Sequence, residues 1–109
     1  MATRSGFLEL ALLGFAALAV APALAEAPVA TATFKCAKAK SITATFYADK
    51  VDLKLSDGRT TGLPQVISGS GARYANADES FVFWNKGNTA FATEGADQTT
   101  SFADCVAPK

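Results

Sequence analysis

Alternating apolar and polar positions dominate the chain beyond residue 30. Val51, Leu53 and Leu55 are separated by charged residues, and this period of two is that of a β-strand with one buried face. Segments of this kind, rich in β-branched and aromatic residues, recur at close spacing. They are residues 31–36, 41–48, 51–55, 60–67, 80–84, 89–93 and 99–106. We therefore expect an all-β domain of about seven or eight short antiparallel strands, folded as a small barrel or sandwich.

The connections between these segments carry turn residues. Asp57-Gly58, between two alternating runs, is a strong signal for a β-hairpin. Residues 85–88 (NKGN) predict a second hairpin between the segments on either side of them. Pro64 interrupts its segment, and because proline cannot donate to a ladder it predicts an edge position or a β-bulge.

Residues 1–25 have the features of a secretory signal peptide. Arg4 supplies a positive charge, residues 7–18 form an apolar run, and residues 23–25 (ALA) match a cleavage site. The expected division is a signal at residues 1–25, a short leader at residues 26–30 and one domain at residues 31–109. A retained N-terminal anchor is the alternative. Otherwise we expect a periplasmic protein without stable membrane insertion.

Cys36 and Cys105 lie near opposite ends of the expected domain. An exported protein folds in an oxidising compartment, which favours a disulfide between them. A reactive or metal-binding thiol is the alternative, but the chain has no CxxC, no His and no third Cys. We expect one disulfide and no metal site.

Charge and composition exclude several functions. Lys and Arg total 10, and Asp and Glu total 10, so the chain lacks the basic surplus of a nucleic-acid-binding protein. The absence of His removes the common catalytic triads and the HExxH zinc sites. A carboxylate enzyme such as a glycosidase would need a paired acid and base, and none of the acids stands out as such a pair. These acids are Asp52, Asp57, Asp78, Glu79, Glu94, Asp97 and Asp104. We therefore expect a protein that is not an enzyme and needs no cofactor.

Two segments have the composition of binding loops. Residues 68–74 (SGSGARY) combine serine hydroxyls with glycines that let another molecule approach the backbone. Residues 83–87 (FWNKG) place Lys86 at the tip of a predicted turn. A flexible hairpin loop and a solvated lysine are the respective alternatives.

Cys36, the SGSGARY segment, the FWNKG segment and Cys105 follow one another in an order that resembles the MliC/PliC family of periplasmic inhibitors of c-type lysozyme. The likeness extends over roughly residues 31–106. It implies an eight-stranded antiparallel barrel, closed by one disulfide, that inserts two loops into the lysozyme cleft. No cysteine directly follows the expected cleavage site to accept a lipid, and in this the chain is similar to the periplasmic branch of the family. It departs from the family pattern at Asn85, where threonine is often found.

The resemblance also implies roles for individual residues. Ser70, or less favourably Ser68, would contact the protonated acid of the lysozyme, and Lys86 would contact the ionised carboxylate. Tyr74 would anchor its loop, and Arg73 would be a rim contact or a solvated side chain. The partner would be c-type lysozyme, with the inhibitor a monomer or weak dimer. The implied contact residues are Ser68, Gly69, Ser70, Gly71, Arg73, Tyr74, Lys86 and Gly87.

Aromatic residues leave a second function open. Alternation places Phe81 and Phe83 on the core side and Trp84 on the opposite side. Trp84, Phe83, Tyr47 and Tyr74 could stack on sugars, which is the basis of the alternative hypothesis of a periplasmic glycan-binding or small-ligand-binding module.

Overall fold

Eight antiparallel strands, each hydrogen-bonded to its neighbours in chain order, form a closed barrel. The computed structural model describes residues 26–109, so the predicted signal peptide lies outside the described residues. A 3₁₀ turn at Ala37–Ala39 joins the first two strands. The strands are β1 Ala30–Lys35, β2 Ser41–Phe46, β3 Lys50–Leu55, β4 Thr60–Val66, β5 Ala72–Ala75, β6 Phe81–Lys86, β7 Thr89–Glu94 and β8 Thr99–Val106.

The barrel confirms the predicted all-β class and decides against a sandwich. Each of the seven alternating segments contains a strand. The alternation does not predict β5, most of which falls within the SGSGARY segment. Its four residues are too few for a visible alternation, and they adopt the strand conformation because they pair with β4 on one side and β6 on the other.

The core consists of the inward-facing residues of all eight strands. Val51, Leu53 and Leu55 are buried, as the alternation predicts. Phe83 is fully buried and meets Phe34 edge to face, with ring centroids 6.0 Å apart. Burying apolar area of this kind supplies most of the driving force for folding.

Pro64 does not occupy an edge strand or a bulge, so that prediction was wrong. It lies opposite Lys50 in a regular β3–β4 register. Gln65 N donates to Asp49 O, so the Lys50–Pro64 pair is one of the non-hydrogen-bonded pairs of the antiparallel ladder. The β4–β5 ladder begins only at Gln65. The N–H that proline lacks therefore has no ladder partner to lose.

The disulfide lies at the seam of the barrel. Strands β1 and β8 are paired through a single residue pair, Lys35 with Val106. Cys36 and Cys105, adjacent to that pair in the sequence, are bonded to each other. This confirms the predicted disulfide, and residues 26–109 contain no free cysteine. The covalent bond joins two strands that share very few ladder hydrogen bonds.

Consecutive strands run in opposite directions, so every second connection between strands lies at the same end of the barrel. The β2–β3, β4–β5 and β6–β7 connections therefore share one end. The β3–β4, β5–β6 and β7–β8 connections share the other. Across residues 26–109, no helix has the length and apolar character needed to cross a membrane.

Candidate functional site

The β4–β5 connection, residues 67–71, lies directly against the β6–β7 turn. Gly71 is the point of contact and has a φ of +68°. A Cβ at this position would be 2.7 Å from the carbonyl oxygen of Asn85 and 3.1 Å from Cβ of Lys86. Only glycine fits both the backbone conformation and the space. The two segments singled out from the sequence are therefore brought together.

Ser70 and Lys86 line one small concavity of about 130 Å³, which we call the Ser70–Lys86 cleft. Trp84 and Phe91 contribute apolar wall, and Thr89 contributes a hydroxyl. By register, Lys86 lies opposite Thr89 and Trp84 lies opposite Phe91. The complete lining is Ser70, Trp84, Asn85, Lys86, Thr89, Ala90 and Phe91.

The two serines of the β4–β5 connection differ in what their hydroxyls do. Ser68 Oγ donates to the carbonyl of Ser70 at 2.8 Å and accepts from the Ser70 N–H at 3.3 Å. Both hydrogen bonds of the Ser68 hydroxyl are therefore made within the loop. The Ser70 side chain is exposed, and its hydroxyl makes no hydrogen bond within residues 26–109. Of the two, Ser70 is therefore the hydroxyl available to a partner.

Lys86 is the last residue of β6 and directly precedes a tight two-residue turn formed by Gly87 and Asn88. Gly87, the first turn residue, has a φ of +58°, as a type II′ hairpin turn requires. Asn85 Nδ2 donates to the carbonyls of Gly87 and Thr89, both at 3.1 Å. The Lys86 side chain is exposed and forms no ion pair within the described part of the chain.

Arg73 and Tyr74 are fixed within the barrel wall. Arg73 forms an ion pair with Glu79 at 2.8 Å and lies over Trp84, 5.1 Å from the ring centroid. Trp84 in turn stacks on Phe91, with centroids 5.7 Å apart and planes inclined by 13°. Tyr74 is 5% exposed, and burial raises the pKa of its hydroxyl. In the β4–β5 ladder Arg73 lies opposite Val66 and Tyr74 lies opposite Gln65, at the base of the connection.

The rings proposed for sugar stacking have little free surface. Phe83 and Tyr74 are buried. Trp84 is flanked by Arg73 on the β5 side and by its stacked neighbour on the β7 side. Lys50 Nζ lies 4.6 Å from the centroid of Tyr47. These four rings do not form an exposed aromatic platform.

Two of the acids, Asp57 and Glu94, are paired with Arg59. Arg59 donates to both oxygens of Glu94 and also pairs with Asp57, with closest contacts of 2.8 Å. Its hydrogen bonds lower the pKa of both carboxyls. A general acid working near neutral pH needs a raised pKa instead.

Ile67 was missed as a surface feature because the sequence pattern placed it at the end of a strand. It lies one residue beyond β4, directly before Ser68, and is 96% exposed. The signal was present in the sequence, since an isoleucine stands where the polar connection begins. The sequence shows Asn85 only as a departure from the family pattern, whereas in the structure its amide donates two hydrogen bonds to carbonyls of the β6–β7 hairpin.

Comparison with known proteins identifies the family of the chain and a curated relative. A 57-residue stretch is 47% identical to the membrane-bound lysozyme inhibitor of C-type lysozyme from Yersinia enterocolitica serotype O:8, covering 52% of this chain and 44% of that protein. The chain thus matches less than half the length of that relative. No solved structure matches. The profile of the MliC family, described as membrane-bound lysozyme inhibitors of c-type lysozyme, matches residues 34–101, which include the whole Ser70–Lys86 cleft. The chain belongs to the MliC family.

Proposed function

We propose that this protein inhibits c-type lysozyme by inserting the β4–β5 connection and the β6–β7 turn into the active-site cleft of the enzyme. The observation that carries the proposal is the Ser70–Lys86 cleft. Ser70 and Lys86 are exposed residues that line one concavity, and neither the hydroxyl nor the ammonium has a hydrogen-bond or ion-pair partner within residues 26–109. The family match and the name of the Yersinia relative support the same function.

The chemistry of the target suits this pair of groups. Lysozyme cleaves its substrate with one protonated and one ionised carboxyl group on either side of the glycosidic bond. Lys86 supplies a cation for the ionised group, and a charge-assisted hydrogen bond of this kind is stronger than a neutral one. Ser70 Oγ, which can donate and accept, serves the protonated group. With both groups engaged, neither carboxyl can act on a substrate.

The neighbouring residues have supporting roles in this proposal. Gly69 has no heavy atom within 4 Å of an added Cβ, so it leaves room for the enzyme's walls to approach the backbone. Gly71 and Gly87 give the two connections their shapes, and Ser68 fixes the carbonyl of Ser70. Arg73 and Tyr74 hold the base of the loop from the barrel wall.

We expect the protein to act in the periplasm. A signal peptide at residues 1–25 would export the chain to the periplasm, where lysozyme that crosses the outer membrane would meet it. The disulfide between Cys36 and Cys105 is compatible with that oxidising compartment.

The function is tested by the lysis of bacterial walls by c-type lysozyme, followed by turbidity, with the full chain expressed and purified from the periplasm. We expect wild type to slow lysis. We expect Lys86→Met, which keeps an unbranched stem without the charge, to raise the inhibition constant by about tenfold or more.

Lys54→Met is the matched control, because Lys54 is an exposed lysine on β3. It should inhibit as well as wild type. A wild-type protein that leaves lysis unchanged would refute the proposed function. Equal inhibition constants for Lys86→Met and Lys54→Met would refute the role of Lys86.

A further inference from the structure

The side-chain amide of Asn85 spans the turn next to Lys86. We propose that Asn85 is a positioning residue that holds the Lys86 turn in its lysozyme-binding shape, an inference that rests on the proposed function. Asn85 precedes Lys86 in β6, and its Nδ2 donates to the carbonyls of Gly87 and Thr89, each at 3.1 Å. One side chain thereby ties together the near and far sides of the turn.

A third hydrogen bond completes this arrangement. Thr89 Oγ1 donates to the carbonyl of Lys86 at 2.9 Å. The carbonyls of Lys86, Gly87 and Thr89 are therefore all engaged by side chains of the same hairpin. Rotating any of these peptide planes would break a hydrogen bond, so the direction in which the Lys86 side chain leaves the turn is fixed.

Asn85 also sets the turn against the loop that carries Ser70. Its main-chain oxygen would lie 2.7 Å from a Cβ added at Gly71. In the β5–β6 ladder Asn85 lies opposite Ala72. The same residue therefore contacts both connections, through its amide on one side and its carbonyl on the other.

Such an arrangement affects affinity through preorganisation. A lysine side chain on a mobile turn loses conformational freedom when it binds, and a turn that is already fixed reduces that loss. Asn85 needs no contact with lysozyme to have this effect. Threonine offers one hydroxyl donor and so could replace only one of the two hydrogen bonds.

The test is a double-mutant cycle between Asn85→Ala and Lys86→Met, read as inhibition constants against c-type lysozyme. We expect Asn85→Ala to raise the inhibition constant about tenfold in the wild-type background. In the Lys86→Met background it should have no further effect, because the group that it positions is gone. An equal increase in both backgrounds would overturn the inference.

Asn76→Ala is the matched control. Asn76 lies in the β5–β6 connection at the opposite end of the barrel, where its Nδ2 donates to Ser80 Oγ at 2.8 Å and its Oδ1 accepts from the Phe81 N–H at 3.0 Å. It should change the inhibition constant less than twofold. Asn85→Thr, a milder variant in case Asn85→Ala fails to fold, should fall between wild type and Asn85→Ala. An inhibition constant for Asn85→Thr equal to that of wild type would count against the two-bond arrangement.

A second readout separates this inference from the proposed function. NMR order parameters for the backbone amides of residues 86–88 should fall in Asn85→Ala and stay unchanged in Asn76→Ala, with no lysozyme present. Unchanged order parameters in Asn85→Ala would overturn the positioning role. Failure of the wild-type protein to inhibit, with the order parameters falling as expected, would refute the proposed function alone.

Discussion

Gly71 is the residue at which the β4–β5 connection meets the β6–β7 turn. An added methyl group there would lie 2.7 Å from the oxygen of Asn85 and 3.1 Å from Cβ of Lys86, and the positive φ would strain any other residue. We expect Gly71→Ala to separate Ser70 from Lys86 and to raise the inhibition constant against c-type lysozyme by about tenfold or more.

Gly69→Ala is the control for this substitution. Gly69 lies in the same connection, has no φ in the left-handed region and has open space around an added Cβ. Its thermal midpoint should match that of wild type, and its inhibition constant should rise far less than that of Gly71→Ala. Equal inhibition constants for the two variants would mean that the close approach of the loops does not matter for binding.

At the scale of elements, an ion-pair network connects the β3–β4 turn with the end of β7. Arg59 donates to both oxygens of Glu94 and pairs with Asp57, and its hydrogen bonds lower the pKa of the Glu94 carboxyl. A carboxyl whose pKa is lowered by folding adds stability above its unfolded pKa, and that stability is lost as the pH falls through the folded pKa.

Glu94→Gln should therefore lower the thermal midpoint at pH 7 by a few degrees. The loss should stay below about 1 kcal/mol because the pair is accessible to solvent. The difference from wild type should shrink as the pH is lowered from about 7 to about 2. Glu26→Gln, at an exposed position before β1, should match wild type throughout. A difference that grows towards acid pH would contradict the assigned sign.

The strands were largely predictable because each presents one face to the core. Val51, Leu53 and Leu55 alternate with charged residues, and all three are buried. β5 was not predictable from its own four residues, since it becomes a strand through pairing with β4 and β6. For the same reason the contact between Gly71 and Lys86 depends on the β5–β6 register, which no local pattern contains.

The candidate lysozyme-binding residues, by contrast, could be predicted only from the resemblance to the MliC/PliC family. Ser70 and Lys86 are ordinary in composition, and nothing in the local pattern distinguishes them from a solvated serine and lysine. What distinguishes Ser70 from Ser68 is a hydrogen bond within the loop, which depends on the folded shape of the connection. The two hydrogen bonds of the Asn85 amide likewise depend on the fold, because they require the carbonyls of Gly87 and Thr89 to be in place.

At the scale of the whole molecule, the barrel is closed by one residue pair and one disulfide. Cys36 and Cys105 are 69 positions apart, and a cross-link over a loop of that length stabilises a protein by up to about 4 kcal/mol in the chain-entropy model. A domain this small has a thin margin from its core alone. Cys36→Ala with Cys105→Ala should therefore lose most of that amount in urea unfolding.

Reductant provides the control for the disulfide. It should destabilise the wild-type protein by a similar amount and leave the double variant unchanged. A double variant with the urea midpoint of wild type would indicate that the β1–β8 seam is held by packing alone.

We propose that the β4–β5 connection and the β6–β7 turn form one lysozyme-binding surface. The most direct measurement is an NMR titration of the ¹⁵N-labelled protein with unlabelled c-type lysozyme. We predict that the amide signals of residues 67–71 and 86–88 shift or broaden together, while those of residues 56–59 and 95–98, at the opposite end of the barrel, stay in place. Changes confined to residues 56–59 and 95–98 would contradict the account.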